Sequence, residues 1–204
     1  MNTTQLNIDS RNRTTSSVSP TNYNVKISPQ LRQVKSISMI SAEIPNSFYA
    51  FTSANNVLRI TQGTTQDITV PVGSYTAFQL ATTIQSALIV AGFTSAVWSV
   101  VIDTVTLKFT ITSDTAFSID VGSTIAPNLG YTNLPLSGQL AYTAQNVANL
   151  NNTEYLLIKS NELAGSLRQR PYYDLNDSSI IYKIPVNSNF GGIIQYAPFE
   201  HLTY

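Results

Sequence analysis

Short runs of β-type residues, each closed within about a dozen positions by a turn residue, constrain this chain more than any other feature. Tyr23, Val25 and Ile27 alternate with Asn24 and Lys26, the period-two mark of a half-buried strand, and Pro29 ends the run. Residues 34–44 form a longer run. Ile37 and Met39 share one parity and Ile40, Ala42 and Ile44 the other, so the strand either bulges or is buried on both faces. Pro45-Asn46-Ser47 stops it, and Phe48, Tyr49 and Phe51 follow as an aromatic cluster. Residues 57–61 and 68–72 are the next strands, around a turn containing Gly63. Residues 97–102 and 105–112 predict a hairpin about Asp103-Thr104, with Leu107, Phe109 and Ile111 on one face. Residues 116–121, 155–159, 180–186 and 193–196 complete the strands. Residues 127–152 read as loop with one short strand, and 163–171, carrying Arg168 and Arg170, as a loop or short helical turn.

One segment breaks this pattern. Thr76 is a good N-cap, and Gln79 three residues on completes a capping box. Phe78, Leu80, Ala81, Ile84, Leu88 and Ala91 recur at helical spacing, and Gly92 suits the position after a helix that needs positive φ. The expected helix is 77–91. Its β-branched residues make it depend on packing rather than on propensity. One helix among nine or ten strands argues an all-β sandwich or barrel, not a parallel α/β sheet.

Composition narrows the function. The 204 residues hold 11 Lys and Arg against 11 Asp and Glu, a formal net charge of zero. Broad nucleic-acid binding needs a basic excess, so no sequence-specific nucleic-acid partner is expected. Only 11% of residues are charged, whereas Thr, Ser, Asn and Gln supply 76. Such a surface suits close protein–protein packing, because burying an amide or hydroxyl costs less than burying a charge. There is no cysteine for a disulfide, thiolate or metal site, and the one histidine is His201. No apolar run approaches the ~18 residues of a membrane span, and Met1–Ser10 lacks the apolar core of a secretory signal. The Asn-x-Ser/Thr matches at Asn2, Asn12, Asn151 and Asn176 then read as chance.

No catalytic constellation emerges. The carboxylates are Asp9, Glu43, Asp67, Asp103, Asp114, Asp120, Glu154, Glu162, Asp174, Asp177 and Glu200, and none falls in a suggestive motif. Asp174-Leu175-Asn176-Asp177 lacks the Gly and the distal Glu of a calcium loop. Val72-Gly73-Ser74-Tyr75-Thr76 lacks the second Gly and the Lys of a phosphate loop. The expectation is no enzyme, no cofactor and no metal.

Two regions suit contacts with other subunits. The polar segment 1–20 reads as a disordered terminus or as an arm that orders on a neighbour, with Arg11 and Arg13 supplying forked hydrogen bonds. The aromatic-rich last third carries Tyr172, Tyr173, Tyr182, Phe190, Tyr196, Phe199 and Tyr204. Tyrosine favours interfaces because it buries area and keeps a hydrogen bond. Arg11, Arg13, Tyr172, Tyr173, Tyr196 and Phe199 are the interface candidates.

Three motifs in order carry a family resemblance. They are Ile8-Asp9-Ser10-Arg11-Asn12-Arg13; Ser41-Ala42-Glu43-Ile44-Pro45-Asn46-Ser47-Phe48-Tyr49; and Val70-Pro71-Val72-Gly73-Ser74-Tyr75-Thr76 opening the helix. Over residues 6–92 the chain resembles penton and minor capsid proteins of large eukaryotic DNA viruses, virophages and polinton-like viruses. The resemblance implies a single jelly-roll-like β-sandwich over 21–204, with an arm at 1–20 and the helix plus hairpin at 71–112. It implies a virion protein, most simply the pentameric vertex protein, whose partners are its own copies and the major or other minor capsid proteins. The other readings are a different minor capsid protein, a receptor-binding or adhesin sandwich, and a glycan hydrolase with an unseen carboxylate pair.

Overall fold

The computed structural model describes residues 4–17, 19, 21–28, 38–93, 97–151, 153–160 and 179–197. The contact pattern divides the chain into two units, residues 1–40 and 41–204.

In the first unit, Ser10–Asn12 form one 3-10 turn capped by the Asp9 side chain. The strand expected at Tyr23–Ile27 is absent, because its backbone is engaged locally. Thr14 N–H donates to the Asn24 carbonyl at 2.8 Å, and Asn24 N–H donates to Ser17 Oγ at 3.0 Å. Alternating polarity marks a strand only where a neighbouring strand takes up the ladder.

The second unit is mostly β. Its strands are β1 (Ala42–Pro45), β2 (Val57–Gln62), β3 (Thr64–Thr69), β4 (Trp98–Ile102), β5 (Phe109–Ile119), β6 (Leu136–Thr143), β7 (Tyr155–Lys159), β8 (Ile180–Pro185) and β9 (Ile193–Tyr196). Helix α1 (Ala77–Val90) and the single turn α2 (Ala126–Leu129) are the only α-helices among the described residues. Several antiparallel sheets with one real helix are consistent with the expected all-β sandwich.

The central sheet has five strands in the order β3-β2-β5-β4, with β6 also on β5. Strand β5 organises it: Phe109–Ser113 pair with β4, Ser118 and Ile119 with β2, and residues along its length with β6. Phe109, Ile111, Phe117 and Ile119 all point into the core. The segments expected at 105–112 and 116–121 are thus largely one continuous strand. The hairpin within 71–112 is built into this sheet rather than appended to it.

Several boundaries differ from expectation for local reasons. Of the run 34–44, only Ala42–Pro45 is strand among the described residues. The strand expected at 68–72 lies at Thr64–Thr69, since Gly63 at φ +71° turns the chain at once from β2 into β3. The turn after β4 spans 103–108 rather than two residues. Asp103 Oδ1 accepts the N–H groups of Val105 at 3.0 Å and Thr106 at 2.6 Å, and Leu107 adopts φ +55°. That geometry takes Leu107 off the buried face it was expected to share with Phe109. Residues 127–152 hold the eight-residue β6.

Helix α1 follows the sequence closely. Gln79 N–H donates to Thr76 Oγ1 at 3.3 Å, and Thr76 N–H donates to Gln79 Oε1 at 2.9 Å, closing the capping box. Gly92 takes φ +74° after its last turn. Leu80, Ala81, Ile84 and Leu88 are buried, and the helix lies chiefly against β4 with lighter contact to β3. Phe78 is instead 62% exposed. It lies one turn before Ala81 and about 60° beyond that edge of the buried stripe, so it flanks the stripe instead of joining it.

The core joins these helix residues to Leu58, Ile60, Trp98, Val100, Phe109 and Ile111. Trp98, Phe117 and Tyr142 form an edge-to-face chain, with centroids 4.9 and 5.0 Å apart. Tyr131 reaches between strands, its hydroxyl placed to donate to the carbonyls of Phe109 and Tyr142 at 3.2 and 2.9 Å. Burial pushes its phenol well above the ordinary range. Apart from this core, β1 pairs with β9 and β7 with β8.

Candidate functional site

The arm candidates are held by local chemistry. Arg11 turns its fork onto Asp9, with Nε 2.9 Å from Oδ2, while Arg11 N–H donates to Asp9 Oδ1 at 2.8 Å. The Arg11 hydrogen bond holds the Asp9 carboxyl at about 2. Arg11 remains 87% exposed. Arg13 Nη1 donates to the Ser10 carbonyl at 3.1 Å. A short, pre-shaped turn therefore presents both guanidinium groups outward, with one edge of Arg11 already used.

Tyr196 stands opposite Ala42 on the β1–β9 ribbon, half-buried on the face shared by Ile44 and buried Ile194. Tyr172, Tyr173 and Phe199 lie outside the described residues, as do His201 and the segment 174–177. The sequence did not single out the pair the fold assembles nearby. Tyr49 after β1 and Phe190 before β9 bring their rings to 5.5 Å, both about half exposed. They lie 141 positions apart, so no local pattern could have joined them. On the β7–β8 ribbon, Lys183 Nζ sits 4.0 Å from the centroid of the exposed Tyr155 ring.

The described carboxylates mostly have structural partners. Asp67 takes both ends of the Arg59 fork at 2.6 and 2.8 Å across β2 and β3, which holds its carboxyl below the usual range. The Arg59 guanidinium lies over Gly122, where a Cβ would collide with it. Asp120 accepts from Thr61 Oγ1 at 2.6 Å, and Asp114 accepts from Val97 N–H at 3.1 Å. The hydrogen bonds made by Thr106 and Val105 hold Asp103 below its ordinary value. Among the described residues, no three of His, Cys, Asp and Glu gather as a metal-ligand set. Among the described residues no helix is long and apolar enough to cross a membrane.

Helix α1 carries exposed apolar side chains at Phe78, Ile89 and Val90. No residue of Ala77–Val90 is charged. Phe78 separates two depressions. On one side a dimple of about 180 Å³ is lined by Ala77, Phe78, Ile102, Asp103, Thr104 and Leu107. On the other an open groove runs past Ser74, Tyr75, Gln79, Thr82, Thr83 and Ser86. Much of the groove's polarity is already paired. Tyr75 Oη donates to the Pro71 carbonyl at 2.7 Å, Thr83 Oγ1 donates to the Gln79 carbonyl at 2.7 Å, and Gln79 Oε1 serves the capping box. Covering such a surface strands few polar groups, so its desolvation costs little.

Comparison with known proteins finds no matching family model, no matching curated protein and no matching solved structure.

Proposed function

We propose that the protein is a structural component of an icosahedral virion, the vertex protein that closes as a homopentamer and contacts the major or other minor capsid proteins. The observation that carries this reading is a surface rich in exposed apolar residues and poor in charge. Tyr49, Phe78, Val90, Val105, Tyr155 and Phe190 are all exposed. The ion pairs made between described residues are Asp9–Arg11 and Arg59–Asp67. Exposed apolar and aromatic side chains on a charge-poor surface suit burial against other subunits. The ordered motifs at 8–13, 41–49 and 70–76 support the same reading through the family they resemble.

The mechanism is geometric. Subunits bury polar and aromatic flanks around a five-fold axis in heterologous contacts that close a ring. The arm, through Arg11 and Arg13, ties the ring to neighbouring capsomers. Jelly-roll topology belongs to this proposal. Its support is the antiparallel pairing of β9 with β1, which brings a late strand back beside an early one.

The test is the mass of the full chain in solution and on capsids. A discrete pentamer of the 22.3 kDa chain supports the vertex role. A trimer moves the protein to a fibre, spike or other minor capsid position. Removing residues 1–20 leaves a folded subunit that fails to join larger assemblies. Normal incorporation of the shortened chain overturns the role given to the arm.

A further inference from the structure

We infer that one buried water molecule is a fixed part of this fold, held by Gln62, Trp98 and Ser113 where β2 and β4 meet end to end. Strand β5 creates the meeting point. Thr110 pairs with both Val101 and Thr143, and Ile119 with both Ile60 and Leu136. Strand β6 therefore runs along one side of β5, while β4 and β2 share the other. On that shared side β4 starts at Trp98 opposite Ser113, and β2 pairs Thr61 with Ser118. The stretch of β5 between them has no ladder partner there among the described residues, and its register with β6 shifts along the same stretch.

Side chains take over where the ladder stops. Gln62 Nε2 donates to the Thr115 carbonyl and to Ser113 Oγ, each at 3.1 Å. The Thr115 carbonyl can only accept, so the amide cannot be turned over and Oε1 faces away from it. Gln62 is 7% exposed, and its Oε1 is buried with no donor among the described residues. Trp98 lies across the ladder from Ser113 on the same core-facing side and is 3% exposed. Its Nε1 is likewise buried with no acceptor. Ser113 Oγ accepts from Gln62 Nε2 and, at 3.3 Å, from Thr115 N–H, which leaves its own proton to give.

The cluster thus presents two donors and one acceptor. A water accepts from Trp98 Nε1 and Ser113 Oγ and donates to Gln62 Oε1, the three bonds typical of a buried water. An apolar occupant would strand all three polar atoms. A cation would face two N–H or O–H donors, and an anion would face the amide oxygen. The water links the end of β2 to the start of β4 and lets β5 run on unbroken between them. It holds whatever the chain assembles into, and so stands apart from the capsid reading.

The experiment is a high-resolution crystal structure of the full chain, joined to ultraviolet resonance Raman spectroscopy of the indole N–H. Trp98 is the one tryptophan of the chain, so that band has a single source. The expected result is one water within about 2.7–3.2 Å of Gln62 Oε1, Trp98 Nε1 and Ser113 Oγ, with the indole band at its hydrogen-bonded position. Gln62→Leu should lose the water and shift the band toward its free position. If that variant does not fold, the wild-type structure and band decide alone. The rings of Phe93 and Phe117 lie 5.4 and 4.9 Å from that of Trp98. An indole N–H seated on either face, a direct protein acceptor for it, or a wild-type band at the free position overturns the inference. A band unmoved by Gln62→Leu overturns it as well, because the amide then holds nothing that the indole binds.

Discussion

Leu80, Ala81, Ile84 and Leu88 on one side of α1 are lost to solvent, whereas Phe78, Ile89 and Val90 elsewhere on it are exposed. Neither side carries a charge. A helix that only covers a sheet gains solubility from charged residues on its outer face. This one keeps a neutral face instead, which points to two jobs in one element: the inner side holds the fold and the outer side is kept fit to be covered. Gln85 shows how the two meet. Its Oε1 accepts from Val100 N–H at 3.0 Å, so the helix satisfies an outward backbone donor on β4.

Mutations on the two sides test this division. Ile84→Ala should have the largest effect. Its side chain is fully buried, and the truncation should cost ~2–5 kcal/mol in denaturant unfolding. A loss below that range would mean the inner face is not the one holding the sheet. Gly92→Val should cost at least ~1 kcal/mol. No atom lies within 4 Å of its added Cβ, so the penalty is backbone strain at φ +74° alone. An unchanged unfolding midpoint would show that the helix ends elsewhere. Phe78→Ser should move stability least, by less than ~0.5 kcal/mol, because its ring is 62% exposed. A large stability loss there would make the outer face part of the core and erase the distinction between the two sides.

How much of this was legible beforehand varies with the range of the interactions. The capping box and the Gly92 stop rest on neighbours a few residues apart, and the strands at 155–159 and 193–196 stand where periodicity placed them, each completed by a distant partner strand. The segment 23–27 had the right alternation but lacked a strand to pair with, because Thr14 and Ser17 took its polar groups. Phe78 was legible in principle, since its angular position already put it outside the Leu80–Ile84–Leu88 stripe. The dimple beside it was not, because that needs Ile102 and Leu107 from the far end of a hairpin. The Tyr49–Phe190 contact was likewise invisible. Arg11 was identified as exposed interface chemistry, yet its partnership with Asp9 two residues away was overlooked despite being local.

The sequence by itself determined the alternating strands, the one helix with its two ends, the neutral surface and the lack of cysteine. Each follows from short-range sterics, hydrogen bonding and composition. Only the tertiary structure decided that β5 runs unbroken through the sheet, that β9 returns to β1, and that the start of α1 meets Ile102 and Leu107 of the hairpin. Those outcomes depend on which distant segments meet. Contacts across many residues carry a closure entropy that no local pattern encodes, and they form only when the whole core repays it.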